Sequence, residues 1–487
     1  MNWKQLMSST RRKDMHGGNT TPLNAGGDRT EIERDYDRVL FSTPIRRLAD
    51  KTQVFPLEKN DSVRTRLTHS HEVSNIARSI GVALSYREGS PFCSEEFRRD
   101  LPAILATVGL AHDIGNPPFG HQGEYAIGSW FKENSSKVFK YLEDESLLLA
   151  DDEKQRMKSD FEAFEGNAQA LRVLTKLQIM NDSFGLNLTC GALAALMKYP
   201  ITSDKRSKTN IATKKFGCFH SELDVVADVW KETGLKEGQR HPLAFLMEAS
   251  DDIAYSVLDV EDAVKKGLVS FRDLISFLEH KSQGEGENAS EIADNEAAII
   301  SVCNRAKMQH DKHKAAKLSP SEVNDLSIQM FRVFAIGEMV SSVIEAFLAQ
   351  KSNIEAGMLQ TDLIEVSRSA LLCKKLKKFA FENAYKHRSV LELELEGHKV
   401  IRSIMDLLWP AIVSRGDPQV EKKGHPGTPY ERYAYGRISE NYRRVFESPS
   451  DNLPLGYRRC QLLADMVSGM TDSFALSFER ELKQLHC

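Results

Sequence analysis

The sequence predicts an all-α protein, and three observations lead to this fold class. From about Glu31 onward, hydrophobic residues recur at the three- and four-residue spacing of amphipathic helices. Few runs show the alternation of hydrophobic and polar residues that strands require. The 487-residue chain has 41% hydrophobic and 28% charged residues, an ordinary globular balance, so these helices have enough apolar surface to form a core.

Composition and charge exclude several classes of protein. No stretch reaches the ~20 apolar residues of a membrane helix, and residues 1–4 lead into charged residues rather than an apolar signal segment. The formal net charge of −4 argues against a globally basic nucleic-acid-binding protein. The seven cysteines include no CxxC pair, which fits reduced thiols. We therefore expect a cytoplasmic protein that does not enter the membrane.

Length and composition suggest more than one structural unit. Residues 1–30 are polar and rich in Gly, Asn and Thr, which predicts a mobile N-terminal arm. Residues 31–295 carry the chemically suggestive motifs and are expected to form the core that holds the site. Residues 296–487 are expected to be further helices that complete this core and supply oligomer contacts. Three segments are expected to be loops: 200–220, 281–295 and 415–430.

The first candidate ligand lies on a helix predicted to begin near Arg66. The apolar residues of 73–80 form one stripe along this helix, and His69 lies on the same stripe one turn earlier, whereas His71 projects elsewhere. An inward-facing histidine is either a hydrogen-bonded core residue or a metal ligand. This helix alone does not distinguish the two interpretations.

The adjacent pair His112 and Asp113 is the sharpest signal in the chain. Leu105, Val108 and His112 share one face of a predicted helix, which residues 115–118 (GNPP) end just beyond the pair. This change of backbone direction lets both side chains reach one cation at the edge of a cleft. The alternative is a core histidine followed by a turn-stabilising aspartate. The upstream histidine and the continuation of the motif favour the metal site.

His121 and Glu124 follow at the start of the next predicted helix. Their spacing of three residues allows the carboxylate to orient the imidazole on one helical face. Such a pair suits a general acid or base. The alternative is an exposed histidine beside a glutamate that the helix dipole favours.

A third predicted helix, over residues 245–262, carries Asp251 on its apolar stripe. A buried carboxylate is costly unless it is paired or bound to a metal, whereas the alternative is a solvated acidic helix with Asp251 at its margin. Tyr255 and Asp259 follow at four-residue steps along the same side. Asp252 lies about 100° around the helix and is expected to face the solvent.

Three predicted helices thus supply two histidines and two carboxylates: His69, His112, Asp113 and Asp251. Mixed nitrogen and oxygen donors suit Mn, Fe, Co, Zn or Mg rather than a thiolate zinc site. Four protein ligands would leave two positions on a six-coordinate ion, which suits metal-assisted hydrolysis of a phosphate compound. We predict one divalent metal ion per subunit, with Mn²⁺ or Mg²⁺ preferred over Fe, Co or Zn.

Further motifs surround these residues along nearly the whole chain. They are IRRL at 45–48, KTQVFPL at 51–57, VRTRLTHS at 63–70, HDIGNPPFGH at 112–121, FEGNAQ at 164–169, KY at 198–199, MEASDDIAY at 247–255 and SGMTD at 468–472. In content and order they resemble the bacterial HD-domain deoxyguanosine triphosphate triphosphohydrolases (dGTPases). The order His…His-Asp…Asp alone is common to many HD phosphohydrolases, whereas the flanking motifs are more specific.

The resemblance implies a fold and a reaction. The fold would be an all-α HD-domain core with additional C-terminal helices. The reaction would be metal-dependent hydrolysis of dGTP, and of other dNTPs as further candidates, to the deoxynucleoside and inorganic triphosphate. The native partners would be the dNTP substrate, further subunits of a homo-oligomer such as a hexamer, and a regulatory nucleotide or single-stranded DNA.

The resemblance also implies residue roles. The metal ligands would be the four residues named above, and His121, oriented by Glu124, would either protonate the departing 5′-oxygen or activate the nucleophile. The substrate-binding positions would be Arg66 and Lys198 at the triphosphate, Tyr255 where a ribose 2′-OH would lie, Asp259 and Gln53 at the deoxyribose, and Asn167 near the substrate. Without this resemblance, most of these would be interpreted as surface or turn residues.

Two other functions remain open at this point. One is an HD-domain phosphohydrolase of nucleoside monophosphates or cyclic nucleotides, which would need no grip on a triphosphate. The other is a nucleotide- or single-stranded-DNA-binding regulatory protein whose metal is structural. The segment between Cys303 and Ser389 matches no motif, and we expect such segments to carry base contacts, a regulatory site or subunit contacts.

Overall fold

Helices form nearly all of the regular structure in this computed structural model. The structure describes residues 1–18, 28–55, 57, 60, 62–143, 148–178, 182–280, 289–418, 426–448 and 453–486, with only the backbone of 289–294. Within these ranges, extended segments pair at isolated bridges alone and no sheet forms. The prediction of an all-α fold is confirmed.

The helices are numbered in chain order. They are α1 (Trp3–Leu6), α2 (Arg12–Met15), α3 (Glu31–Leu40), α4 (Thr43–Arg47), α5 (Arg66–Tyr86), α6 (Phe97–Ala111), α7 (Gly120–Glu133), α8 (Ser135–Val138), α9 (Asp151–Glu162), α10 (Gly166–Arg172), α11 (Cys190–Leu196), α12 (Leu223–Thr233), α13 (Pro242–Lys265), α14 (Phe271–Glu279), α15 (Ala289–Ala315), α16 (Pro320–Ala349), α17 (Lys351–Glu355), α18 (Ala370–Ala380), α19 (Arg388–Ser414), α20 (Pro429–Gly436), α21 (Glu440–Glu447), α22 (Leu455–Ser468) and α23 (Asp472–Leu485). Two π-helical segments, Val173–Leu177 and Phe381–Tyr385, extend α10 and α18.

Three long helices, α5, α6 and α13, pack against one another and position the predicted metal ligands. His69 lies in the first turn of α5, His112 and Asp113 directly follow α6, and Asp251 lies inside α13. A glycine sets the closest approach of two of them. A Cβ atom at Gly109 of α6 would lie 2.9 Å from the Cα of Ser74 in α5, so a larger residue would push these helices apart. This close packing fixes the relative positions of the helices that hold the site.

Local sequence determines where α5 and α13 begin. The Thr65 hydroxyl accepts a hydrogen bond from the Thr68 amide, and the Thr68 hydroxyl accepts one from the Thr65 amide. At α13, Pro242 occupies the first helical position, and Nδ1 of His241 accepts a hydrogen bond of 3.1 Å from the Leu243 amide. These caps fix the start of each helix and therefore the direction in which its later side chains point.

The helices of the C-terminal region cover the core on two sides. Helices α16 and α18 pack against α13, whereas α19 packs against α7 and is itself contacted by α22 and α23. The predicted boundary at 295/296 falls inside α15, so one continuous helix joins the two predicted regions. Of the predicted loop 281–295, residues 281–288 lie outside the described residues and the rest begin α15. No helix in the described ranges is long and apolar enough to cross a membrane.

Residues 1–18 of the predicted mobile arm differ from the expected loop. They contain α1 and α2, and Leu6 and Met7 are buried. Arg11 is only 2% exposed, and its guanidinium lies 2.8 Å from a carboxylate oxygen of Asp35 in α3. These partners are distant in sequence, so the polar composition of the arm did not reveal them. Residues 19–27 of the arm lie outside the described residues.

Candidate metal and catalytic site

His69, His112 and Asp251 converge from α5, the end of α6 and α13. Nε2 of His69 lies 3.1 Å from Oδ1 of Asp251, and Nε2 of His112 lies 3.5 Å from the same oxygen. One ligand atom from each residue lies within 4.8 Å of the other two, which is close enough for all three to contact one ion. Three of the four predicted ligands are therefore together.

The hydrogen bonds of His112 leave one ring nitrogen available for a metal. Its Nδ1 lies 2.7 Å from the carbonyl oxygen of Gly109, so Nδ1 carries the proton and donates it there. Its Nε2 is buried and has no hydrogen-bond partner among the residues that the structure describes. A histidine oriented through Nδ1 in this way typically offers Nε2 to a metal. The residues present therefore fit a divalent metal ion.

Asp113, the fourth predicted ligand, lies at the edge of this group. Its Oδ1 is 3.4 Å from Nε2 of His112 and accepts a hydrogen bond of 2.6 Å from Nδ2 of Asn116, while Oδ2 accepts one of 2.5 Å from Arg66. Burial opposes ionisation of Asp113, but the charge of Arg66 holds its pKa well below the ordinary value. The carboxylate is thus ionised and paired with a residue predicted to bind the triphosphate.

Lys198 brings a second buried cation to the ligands. Its Nζ lies 3.1 Å from Oδ2 of Asp251, the oxygen that does not face the histidines. Burial alone would lower the pKa of Lys198, but Asp251 and Glu248 raise it above its ordinary value, so the ammonium group stays charged. The backbone oxygen of Lys198 accepts a hydrogen bond of 2.7 Å from Arg240, which in turn pairs with Glu248. These contacts fix the position of the lysine.

His121 and Glu124 make the contact that their spacing predicts. Nδ1 of His121 is 3.0 Å from Oε2 of Glu124, and Oε1 of Glu124 accepts a hydrogen bond of 2.8 Å from the Gly166 amide. The hydrogen bond with Glu124 raises the pKa of His121. Burial opposes ionisation of Glu124, yet this hydrogen bond and the charge of Lys215 lower its pKa. The contact therefore favours a protonated imidazole on His121 beside an ionised carboxylate on Glu124.

The turn after Asp113 packs directly on the FEGNAQ motif at 164–169. A Cβ atom at Gly115 would lie 2.1 Å from the carbonyl oxygen of Gly166, and a Cβ atom at Gly166 would lie 2.7 Å from Oε1 of Glu124. Asn167 follows in α10, and its side-chain Nδ2 donates a hydrogen bond of 2.6 Å to Oε1 of Glu165. The two glycines bring the motif against the His121–Glu124 pair, and Asn167 lies beside it.

Tyr255 and Asp259 are one turn apart on α13 and share a partner that sequence analysis missed. The ring of Tyr385 stacks on that of Tyr255 with a centroid distance of 5.8 Å, and the Tyr385 hydroxyl donates a hydrogen bond to Asp259. Burial raises the pKa of Asp259 well above its ordinary value. Tyr385 ends a π-helical segment within the stretch that matches no motif, and no local pattern distinguishes it from a core aromatic residue.

Lys377 is a second residue that sequence analysis missed. Its Nζ donates a hydrogen bond of 2.6 Å to Asp252, whose side chain is 21% exposed. The expectation that Asp252 faces the solvent was wrong, because α18 packs on this side of α13 and brings the lysine with it. A positive charge thus lies beside the residue that follows Asp251.

Gln53 lies in the segment that leads to α5. The backbone oxygen of its neighbour Thr52 accepts a hydrogen bond of 3.0 Å from Nε of Arg66. Oε1 of Gln53 is buried and has no hydrogen-bond partner among the described residues. A buried acceptor without a partner is uncommon in a folded protein and fits a donor supplied by a ligand.

Comparisons with known proteins match a domain profile and several full-length relatives. The sequence profile described as HD domain matches residues 66–165, which include His69, His112 and Asp113. The chain is 34% identical to a deoxyguanosinetriphosphate triphosphohydrolase-like protein of Listeria monocytogenes, over 100% of both chains. It is 31% identical to a protein of the same description from Synechocystis over 99% of both chains. It is 33% identical to the deoxyguanosinetriphosphate triphosphohydrolase of Salmonella paratyphi A over 93% of both chains.

Proposed function

Since the chain belongs to the deoxyguanosinetriphosphate triphosphohydrolase family and is a hydrolase, we propose that it hydrolyses dGTP to deoxyguanosine and inorganic triphosphate. The other dNTPs are further candidate substrates. The observation that carries the proposal is the convergence of His69, His112 and Asp251 beside two buried cations, Arg66 and Lys198. Ligands for a metal ion next to two fixed cations suit a substrate with several negative charges, because each positive group stabilises part of that charge.

The proposed metal ligands are His69, His112, Asp251 and Asp113. Asp113 is included because its Oδ1 already lies 3.4 Å from Nε2 of His112. A divalent ion bound there, Mn²⁺ or Mg²⁺ with one ion per subunit, would act as a Lewis acid and lower the pKa of water. The donor set is open to Fe, Co and Zn as well.

Arg66 and Lys198 are the proposed triphosphate-binding residues. Both are charged and nearly buried, with side chains 9% and 10% exposed, so their charges are little screened by solvent. Thr52 and Asp113 fix the guanidinium of Arg66, while Asp251 fixes the ammonium of Lys198. Cations held in position before the substrate arrives stabilise developing charge without having to reorganise.

His121 is the proposed general acid. Water adds to the α-phosphorus and releases one proton to the solvent as the bond between phosphorus and the 5′-oxygen breaks. The departing 5′-oxygen takes a proton from His121, which is reprotonated from the solvent. Glu124 supports this role, because it holds Nδ1 and raises the pKa of the imidazole, which favours the protonated form. The opposite assignment, in which His121 activates the nucleophile, would require the neutral imidazole that Glu124 disfavours.

Tyr255 is proposed to select against ribonucleotides. Its ring is held by stacking on Tyr385, and a fixed ring excludes a ribose 2′-OH by its volume. Asp259 and Gln53 are proposed to hydrogen-bond the deoxyribose, mainly its 3′-OH, and Asn167 to lie near the substrate. The unpartnered Oε1 of Gln53 supports its share of this assignment.

The proposals about assembly and regulation rest on the family alone. We propose that the chain forms a homo-oligomer such as a hexamer, and that a regulatory nucleotide or single-stranded DNA acts on it. A sedimentation experiment on the purified chain tests the first, and hydrolysis assays with either effector added test the second.

A product assay tests the proposed function. The purified protein is incubated with each dNTP and each NTP and with Mn²⁺ or Mg²⁺, and nucleosides are separated from phosphates by chromatography. Deoxyguanosine and inorganic triphosphate are the expected products. Cleavage of all dNTPs at equal rates would support the proposed reaction but contradict the proposed preference for guanine.

Two other results of the same assay would contradict the reaction itself. Release of orthophosphate, or hydrolysis of monophosphates or cyclic nucleotides, would favour the related HD phosphohydrolases. No hydrolysis, even with mixed dNTPs or single-stranded DNA added, would favour a regulatory protein with a structural metal. The Asp113→Ala variant is the control, because its loss of activity with retained folding would exclude a purely structural metal.

A further inference from the structure

The SGMTD motif at residues 468–472 has no part in the proposed chemistry, yet its last residue contacts two segments of the site. Asp472 is 2% exposed and begins α23. Its Oδ1 accepts a hydrogen bond of 3.0 Å from the Phe119 amide, and its Oδ2 accepts one of 3.0 Å from the Thr52 amide and another from the Thr52 hydroxyl. Capping of α23 does not explain this carboxylate, because Thr471 already accepts a hydrogen bond from the Phe474 amide.

The first contact fixes the start of α7. Phe119 has a φ of 60°, a left-handed conformation that costs a residue with a side chain about 1 kcal/mol or more. Its amide is held by Asp472, and its ring packs so closely on α19 that a Cβ atom at Gly397 would lie 2.4 Å from it. His121 follows two residues later, in the first turn of the helix. The backbone conformation of Phe119 therefore sets the direction in which the His121 side chain points.

The second contact fixes the segment that orients Arg66. Thr52 is bound to Asp472 through both its amide and its hydroxyl, and its carbonyl oxygen accepts a hydrogen bond of 3.0 Å from Nε of Arg66. The next residue is Gln53, one of the proposed sugar contacts. A shift of Thr52 would therefore move both the guanidinium of Arg66, which is proposed to bind phosphate, and the side chain of Gln53.

Lys51 joins the same two segments to the motif by another route. Its Nζ donates hydrogen bonds of 2.6 Å to the carbonyl oxygen of Asn116 and of 2.8 Å to that of Ser468. The motif thus contacts the segment before α5 through Asp472 and Ser468, and it reaches the turn after Asp113 directly through Phe119 and indirectly through Lys51. These connections place the SGMTD motif where the segment before α5 meets the turn after Asp113.

We propose that Asp472 is a positioning residue that holds His121 and Arg66 in their productive relative positions. The proposal rests on the proposed function, since it assigns a purpose to the geometry of residues named there. Asp472 acts only through Phe119 and Thr52 and does not touch the substrate. Its two oxygens face opposite segments, so one carboxylate sets the distance between the proposed acid and the proposed phosphate-binding residue.

Three variants separate this role from general stability. Asp472→Asn keeps the shape of the side chain but places its NH2 group against the backbone N–H of either Thr52 or Phe119. We therefore expect kcat/KM for dGTP to fall about 100-fold, as for a displacement of ~1 Å in an active site. Thr52→Val removes only the hydroxyl donor on the Arg66 side, so KM is expected to rise about 5-fold, with kcat changed much less. Ser473→Ala is the matched control. Its hydroxyl bonds Asp50 at the exposed surface, and its kinetics are expected to stay within about twofold of the parent.

Hydrogen exchange of the full-length protein without substrate provides a readout that does not depend on activity. In Asp472→Asn, the backbone amides of residues 119–124 and 47–55 are expected to exchange faster than in the parent. The amides of α15 and α16 in the same variant are expected to keep the parent rates. In Ser473→Ala, all amides are expected to keep the parent rates. Unchanged exchange in both segments, or kinetic constants equal to those of the parent well below the melting temperature, would overturn the proposal. If Asp472→Asn does not fold, Thr52→Val decides, because an unchanged KM would equally overturn it. If the parent protein hydrolyses no dNTP, the proposed function fails, while hydrogen exchange still decides the role of Asp472.

Discussion

Glu124 has a side chain only 12% exposed, and its Oε2 lies 3.0 Å from Nδ1 of His121, whose own side chain is 85% exposed. The glutamate is fixed on its other oxygen by a backbone amide, so the imidazole has a rigid partner on the protein side and open space on the other. An oriented, accessible and protonated imidazole can transfer a proton to a group that binds above it.

Replacement of His121 by alanine is expected to lower kcat about 100- to 10,000-fold, the contribution typical of a general acid, while KM stays within about threefold. The physical reason is that an exposed imidazole adds little to ground-state binding. Steady-state kinetics of dGTP hydrolysis, with separation of the products, measure both constants. His71→Ala, which removes an exposed imidazole from α5, is the control. A rise in KM with unchanged kcat would show that His121 binds the substrate and does not transfer the proton.

Replacement of Glu124 by glutamine is expected to shift the pH profile of kcat. Glu124 raises the pKa of His121, so loss of its charge lowers that pKa, and the protonated form disappears at lower pH. If His121 is the acid, the alkaline limb of the profile moves toward lower pH. The measurement is kcat at saturating dGTP over the pH range in which the protein stays folded. An acid limb that moves to lower pH, with an unchanged alkaline limb, would instead identify His121 as a base.

The sequence alone was sufficient to predict the orientation of side chains that depend on a single helix. His69 lies on the apolar stripe of α5, and His112 ends α6 before a Gly/Pro turn, so helix periodicity and the break predicted their burial and neighbourhood. The contact of His121 with Glu124 likewise follows from a spacing of three residues. That these elements meet at one point follows from the family resemblance and not from the periodicity of any one of them.

Residues whose roles depend on packing between distant helices were not predicted. Tyr385 reaches Tyr255 only because α18 packs on α13 and continues into a π-helical segment, which has no sequence signal. The same packing brings Lys377 to Asp252 and made the expected exposure of Asp252 wrong. Arg11 is buried for a similar reason, since its carboxylate partner belongs to α3.

Adjacent aspartates on α13 provide a matched test of the metal site. Asp251→Asn is expected to weaken Mn²⁺ binding by more than the 10- to 100-fold typical of residues that support a ligand, because it removes a charged ligand. Asp252→Asn is expected to keep the affinity, since that carboxylate is paired with Lys377 and is not among the residues whose ligand atoms converge. Isothermal titration of the metal-free proteins with Mn²⁺ measures both. Equal affinities of the two variants would contradict the assignment of Asp251 as a ligand.

The stacked tyrosines test the proposed selection against ribonucleotides. Tyr255→Ala is expected to reduce the ratio of kcat/KM for dGTP over GTP by about 10- to 100-fold, because it removes the ring that would clash with a 2′-OH and leaves space for it. Tyr385→Phe is the control, since it removes only the hydroxyl bonded to Asp259 and keeps the ring stacked on Tyr255. The measurement is competition between dGTP and GTP in one reaction, with both nucleosides quantified. If Tyr255→Ala loses activity on both substrates equally, the ring supports the fold of the site and does not discriminate the sugar. If Tyr385→Phe lowers the ratio as much as Tyr255→Ala, the discrimination depends on the hydrogen bond to Asp259 and not on the volume of the ring.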